Sequence, residues 1–229
     1  GQTARYTFTG TAGQWVSLGL TSVTVSSGNV TLLKPDGTSL ATTSVGTGGG
    51  GLEPPSTLPT TGTYTIVLDP TGINTGSITM TLMSYLNGSL NLDGTPTSLS
   101  MSTVGQNALY TFSGTAGQWV SFGFTGVTIP FSTVTLYKPD GTYLTSTTIG
   151  TAGGYLDVSA ALPTSGTYTF TVNPSGANTG NMTITLSSEV TGSVTINTAA
   201  TPVSISRTGQ NARYTFAGTA SQQVTVRVT

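Results

Sequence analysis

The chain has 229 residues, of which 6 are Lys or Arg, 7 are Asp or Glu and none is His or Cys, for a net charge of −1. That inventory excludes histidine-based triads, imidazole and thiolate metal sites and disulfides. It also excludes nucleic-acid binding, which needs many phosphate-neutralising cations, and no apolar run reaches the roughly 20 residues of a membrane-spanning helix. Thr, Ser and Gly supply 107 residues, yet 35% of the chain is apolar, so a packed core is expected rather than disorder. With no His, no Cys and few carboxylates, stability should vary little between about pH 5 and 9. The sequence opens at Gly1 with no signal-peptide pattern, which reads as a mature product or an excised segment.

The first element, GQTARYTF at Gly1, returns as GQNALYTF at Gly105 and GQNARYTF at Gly209, a period of 104 residues. Residues 1–104 align with 105–208 without a gap at 54 identities, and 209–229 match 105–125 at 13 of 21 positions. A period this long is a whole domain repeated in tandem.

Taken in chain order through the middle copy, residues 87–104 read as opening strands, with Leu90 and Leu92, then Leu99 and Met101, alternating. Tyr110 and Phe112 follow, then Val120, Phe122 and Phe124, then Val134 and Leu136. Tyr168, Phe170 and Val172 form the next run, and Met182, Ile184 and Leu186 the last. Each run has the period of 2 of a half-buried strand and is bounded by Gly, Pro or Asn. KPDGT at 34–38 and 138–142 places Pro and Gly where a tight turn needs them, with Asp36 and Asp140 as side-chain caps. Eight or nine strands per unit predict an all-β fold of tandem, jelly-roll-like antiparallel β-sandwiches. The core should contain Tyr110, Phe112, Val120, Phe122, Phe124, Leu136, Tyr168, Phe170, Ile184 and Leu186.

Natural boundaries fall near Leu86/Asn87 and Val190/Thr191. Residues 1–86 form a unit lacking its opening strands, 87–190 a complete unit, and 191–229 the opening of a third. The apolar positions of that opening are Val194, Ile196, Val203 and Ile205.

The series A-YTF-G-TAGQ-VS, V-L-KPDGT-L, LPT-GTYT and TG--T-TL resembles the bacterial pre-peptidase C-terminal (PPC-like) domain. In particular it resembles the tandem copies of large bacterial surface and secreted proteins, some with RHS repeats. The resemblance covers essentially the whole chain, through motifs that mark turns and core. It implies a jelly-roll-like sandwich that is extracellular or on the cell surface, non-catalytic, and appended to or strung between other parts. Some relatives are described as binding calcium or carbohydrate, but no motif here defines such a site.

Among candidate sites, calcium would need six to eight oxygens, and Asp93, Asp140, Asp157 and Glu189 lie far apart in sequence. No cofactor or metal is expected. Trp15 and Trp119 precede Val16 and Val120 and so have the opposite parity to that core row. They should face away from their own core, as should Leu33 and Tyr137. Such aromatics either pack on a loop, a neighbouring unit or a subunit, or stack on sugar rings, with Trp119, Tyr137, Tyr143 and Tyr155 as a glycan platform. Lys138, Asn178 and Asp157 recur from Lys34, Asn74 and Glu53 and are the ingredients of an isopeptide cross-link, although three unrelated turn residues explain them more simply. Asn29, Asn87 and Asn181 open N-x-Ser/Thr sequons, which arise by chance in a Thr-rich chain.

The expected function is structural: an extracellular array forming a stalk, fibre or filament, with copies of itself as head-to-tail partners. The segment from 191 should complete the unit 1–86 of the next copy, by strand donation or as part of one longer chain. The alternatives are a glycan- or cell-wall-binding adhesion module and an accessory domain of a secreted hydrolase.

Overall fold

The computed structural model describes residues 2–228, and every regular element among them is a strand. The first unit supplies β1 (Ala4–Gly10), β2 (Val16–Thr21), β3 (Gly28–Leu33), β4 (Ser39–Val45), β5 (Gly50–Leu52), β6 (Gly62–Pro70) and β7 (Thr79–Ser84). The second opens with β8 (Leu86–Ser89) and β9 (Thr97–Met101), continues through β10 (Ala108–Gly114), β11 (Val120–Thr125), β12 (Phe131–Tyr137) and β13 (Tyr143–Gly150), and ends with β14 (Gly154–Asp157), β15 (Gly166–Pro174) and β16 (Gly180–Ser188). Then come β17 (Val190–Ser193) and β18 (Ala212–Thr215). Among the described residues no helix is long and apolar enough to cross a membrane.

Each unit is two facing sheets. In the first, β1-β6-β3-β4 lies over β5-β2-β7; in the second, β13-β12-β15-β10-β8 lies over β14-β11-β16-β9. The chain crosses between sheets at most turns, as in a jelly roll. Register recurs 104 positions on: Ala4 opposes Leu68 in the first unit, and Ala108 opposes Val172 in the second. Pairing is antiparallel except at two places, β8 with β10 and β17 with β18, which run parallel.

The alternating runs bury one row each. All ten residues expected in the second core are buried, with Phe122 stacked on Phe170 at 4.9 Å between ring centroids. The Tyr64 and Tyr168 hydroxyls donate to the carbonyls of Thr60 and Thr164 at 2.7 Å, which lets each ring be buried without stranding its polar tip. In the KPDGT turn, the Gly37 N–H closes on the Lys34 carbonyl with φ at 81°, a left-handed value that favours glycine. Asp36 and Asp140 cap these turns, each accepting from the backbone N–H and hydroxyl two residues on.

The opening segment serves both sheets of its unit. It splits between the sheets, β8 joining β10 and β9 joining β16. In the third copy, among the described residues, this segment contributes only β17. Val194, Val203 and Ile205 are exposed and Ile196 is half-buried. The segment does not fold back to close the first unit; β17 pairs with β18.

Candidate functional site at the unit junctions

A strand of a two-layer sandwich normally buries one face. β2 and β11 are buried on both over their first five residues. Val16, Leu18 and Leu20 point into their own core, while Ser17 and Gly19 occupy the opposite parity and are also covered. The cover on Gly19 is the segment that leads into the next unit. A side chain on Gly19 would overlap the Val104 carbonyl, and one on Gly105 would strike Gly19. The same contact recurs 104 residues later, with Gly123 beneath the Thr208 carbonyl and Gly209 against Gly123. Hydrogen bonds recur too: the Leu86 and Val190 N–H groups donate to the Asn107 and Asn211 carbonyls at 2.8 Å.

Both tryptophans lie at these junctions. Trp15 packs on Tyr85 at 5.2 Å between ring centroids. Trp119 is covered by Arg213, whose guanidinium also binds Glu189 through Nε at 2.7 Å and a terminal nitrogen at 3.0 Å. This two-pronged bond to Glu189 raises the Arg213 pKa. Arg207 fastens the second junction further, donating to the Ser187 hydroxyl and to the carbonyls of Asp93, Gly94 and Leu186.

The first junction holds a polar knot. Buried Asn107 donates to the Tyr85 hydroxyl at 3.1 Å, and Glu53 accepts from the amides of Asn107 and Asn173. Burial pushes the Glu53 carboxyl above its ordinary value, although the two amide bonds work the other way. Burial pushes Tyr85 up to about 12, and the neighbouring charges of Glu53 and Tyr137 add to that. Asp157 takes the place of Glu53 in the second junction and accepts from Asn211 at 2.9 Å.

The glycan platform is not assembled. Trp119 lies in the second junction, and Tyr137 is half-buried within electrostatic reach of Tyr85 in the first. Tyr143 and Tyr155 are exposed but belong to different sheets, β13 and β14. Leu33 is half-buried at the end of β3. The isopeptide trio is likewise dispersed: Asn178 bonds the Phe131 carbonyl at one end of β12, Lys138 follows the other end, and Asp157 binds Asn211. Each residue does a local turn or junction job, which is why it recurs. Among the described residues no three acidic side chains cluster as a metal site would require.

Sequence reasoning missed Gly19, Gly123, Tyr85, Asn107, Arg207 and Arg213, and named Glu53 without its junction role. The available signal was a glycine in the middle of an alternating strand, SLGL and SFGF, which marks close approach of another backbone.

No family model matches the chain, and no curated protein matches it. Among solved structures it is similar to PliG from Aeromonas hydrophila, a periplasmic inhibitor of g-type lysozyme, at 15% identity over 44% of this chain and 96% of that one, with a TM-score of 0.33. It is also similar to a glycosyl hydrolase family 2 member from Bacteroides cellulosilyticus, at 10% identity over 84% of this chain and 32% of that one, with a TM-score of 0.30. At these TM-scores neither likeness bears on what this chain binds or does.

Proposed function

We propose that the chain is a non-catalytic structural protein of the cell surface or extracellular space, a PPC-like tandem array that serves as a stalk, fibre or filament. The observation that carries this reading is the junction built twice, with a glycine under a carbonyl and a covered tryptophan each time. The connection from one sandwich to the next is itself a strand of the next sandwich, so no flexible tether separates them. Small-angle scattering and electron microscopy test it. A rod of fixed inter-unit geometry supports the array, and units that swing independently overturn it. A second reading, a glycan-binding adhesion module, rests on the exposed rings of Tyr143 and Tyr155. Retention on insoluble polysaccharide that is lost in Tyr155→Ala would favour it.

A further inference from the structure

The first junction leaves a cleft of about 510 Å³ between the two sandwiches, within the range of about 300–1,000 Å³ typical of small-molecule sites. One wall belongs to the first unit: Thr42, Thr43 and Ser44 of β4, and the glycines that lead into β5. The other belongs to the second unit: Thr133 of β12, Asn173 opposite it on β15, and Ser175 just beyond. β4 and β5 are outermost strands of their sheets, and so are their counterparts β13 and β14. This side of a unit is therefore open by the plan of the fold. Glu53 and Asn173 bridge the two walls, the Asn173 amide donating to the Glu53 carboxylate.

The lining is hydroxyl, amide and backbone, with no aromatic ring. Among the described residues its one ionisable side chain is Glu53, and no Lys or Arg shares the cleft. The amides of Asn107 and Asn173 bond the carboxylate but bring no charge, and burial penalises the charge it carries. Glycine supplies the width. A side chain at Gly50 or Gly176 would meet no atom within 4 Å. Gly51 stands where the second unit carries Tyr155, and a Cβ there makes ordinary contacts, with the Leu18 carbonyl at 3.4 Å and Gly105 at 3.7 Å. The position can hold a ring, and the first unit has none there.

We propose that this cleft binds a short saccharide carrying free amino groups, with one ammonium on Glu53 and the sugar hydroxyls between the hydroxyls of β4 and those of Thr133 and Ser175. The charge selects the class. An ammonium offsets the lone carboxylate, a neutral sugar leaves it uncompensated, and an acidic sugar is repelled. The walls select a hydroxylated ligand, because a Ser or Thr hydroxyl both donates and accepts, and an apolar ligand would strand these groups without partners. A peptide lysine brings the same cation but lays an apolar stem along a polar wall. Tyr143 and Tyr155 take no part, so the site is separate from any ring platform on the second unit.

Amide chemical shifts of the full chain read the site, with the glucosamine trimer as probe at neutral pH. Saturable shifts are expected on both walls, at Thr43 and Gly50 on one and at Thr133 and Ser175 on the other. No saturable shift up to about 10 mM, beyond the millimolar end of the affinity scale, overturns the site. Shifts confined to Tyr143 and Tyr155 overturn it as well and favour the adhesion reading. The N-acetylglucosamine trimer, which has no charge, should bind about tenfold more weakly, the loss of one charge-assisted hydrogen bond, and the galacturonate trimer should not bind. Equal affinity for the acetylated trimer, or a response to trilysine as strong as that to the glucosamine trimer, overturns the class of ligand. Glu53→Gln should bring the free and acetylated trimers to the same affinity, and a difference that persists overturns the role of Glu53. Gly51→Tyr copies Tyr155, which sits beside a second junction whose Gly123–Gly209 contact is intact. It should abolish binding while shifts away from the cleft stay as they are, and undiminished binding overturns the cleft as the place. The site needs only the first junction, so its failure leaves the array reading to the scattering experiment.

Discussion

The guanidinium carbon of Arg213 lies 3.5 Å from the centre of the Trp119 ring, whereas Trp15 in the equivalent position is met by the ring of Tyr85. Both contacts cover an indole that its strand turns away from its own core. One does so with a cation held by Glu189, the other with an aromatic ring. Charge contacts near the surface are screened by salt, and ring contacts are not. Raising salt to about 1 M, where the screening length shrinks to about 3 Å, should therefore loosen the second junction and leave the first intact. In single-tryptophan variants, Trp119 emission should shift to the red with salt and Trp15 emission should not. Arg213→Leu, which copies Leu109, should already show the shifted Trp119 spectrum at low salt.

Phe122 has no exposed surface and touches both Phe112 and Phe170 across the second core. Phe122→Ala should destabilise the second sandwich by about 3–5 kcal/mol, the range for deleting a buried ring. Denaturant unfolding measures this. A loss under about 1 kcal/mol would mean that the strand points its other face to the core.

Gly19→Ala adds one methyl group against the Val104 carbonyl, a backbone atom that cannot rotate aside. The sandwich core is untouched, because Leu18 and Leu20 keep their places. The expected outcome is a junction opened at a cost of about 1–3 kcal/mol, typical of overpacking, with both units still folded. Scattering should show a wider spread of inter-unit angles, and proteolysis should appear near residues 103–107. A variant as rigid as the parent would show that this contact does not fix the junction.

The sandwich was legible because each strand wrote its burial as a period of 2. Phe122 and Phe124 on one strand, and Phe170 on its neighbour in the facing sheet, sit on the apolar parity. The parity of Trp15 and Trp119 also told which way they face. What they meet was not legible, because Tyr85 and Arg213 lie far along the chain and in non-equivalent repeat positions. Gly19 read as a break in a hydrophobic row, when it is the place where another backbone passes. Recurrence of Lys138, Asn178 and Asp157 could not by itself separate a shared site from three separately repeated turn residues. The parallel pairing of β8 with β10 could not be read from alternation, which is the same in parallel and antiparallel strands.

Glu53 is the group that should break the expected indifference to pH. Burial at the junction raises its pKa above the ordinary 4.5, so the folded state holds this proton more tightly than the unfolded chain does. Its stabilising contribution is complete below 4.5 and is lost as pH rises through the folded value. Asp36 and Asp140 act in the opposite sense. Thr38 and Thr142 lower their pKa values, so their contribution is present above 3.8 and is lost only as pH falls through the folded values. Tyr85, pushed up to about 12, contributes fully below pH 10 and loses that contribution between there and about 12. The first junction should therefore weaken as pH rises from 4.5 through the folded value of Glu53, and weaken again in strong base as Tyr85 ionises. Glu53→Gln keeps an acceptor for the Asn107 and Asn173 amides without a buried charge. It should flatten the acid step and raise the stability of the junction at pH 7, read as the midpoint of the transition seen by Trp15 in a Trp119→Phe background. If Glu53→Gln is the less stable of the two at pH 7, the carboxylate is favourable where it lies and the direction of its shift is wrong.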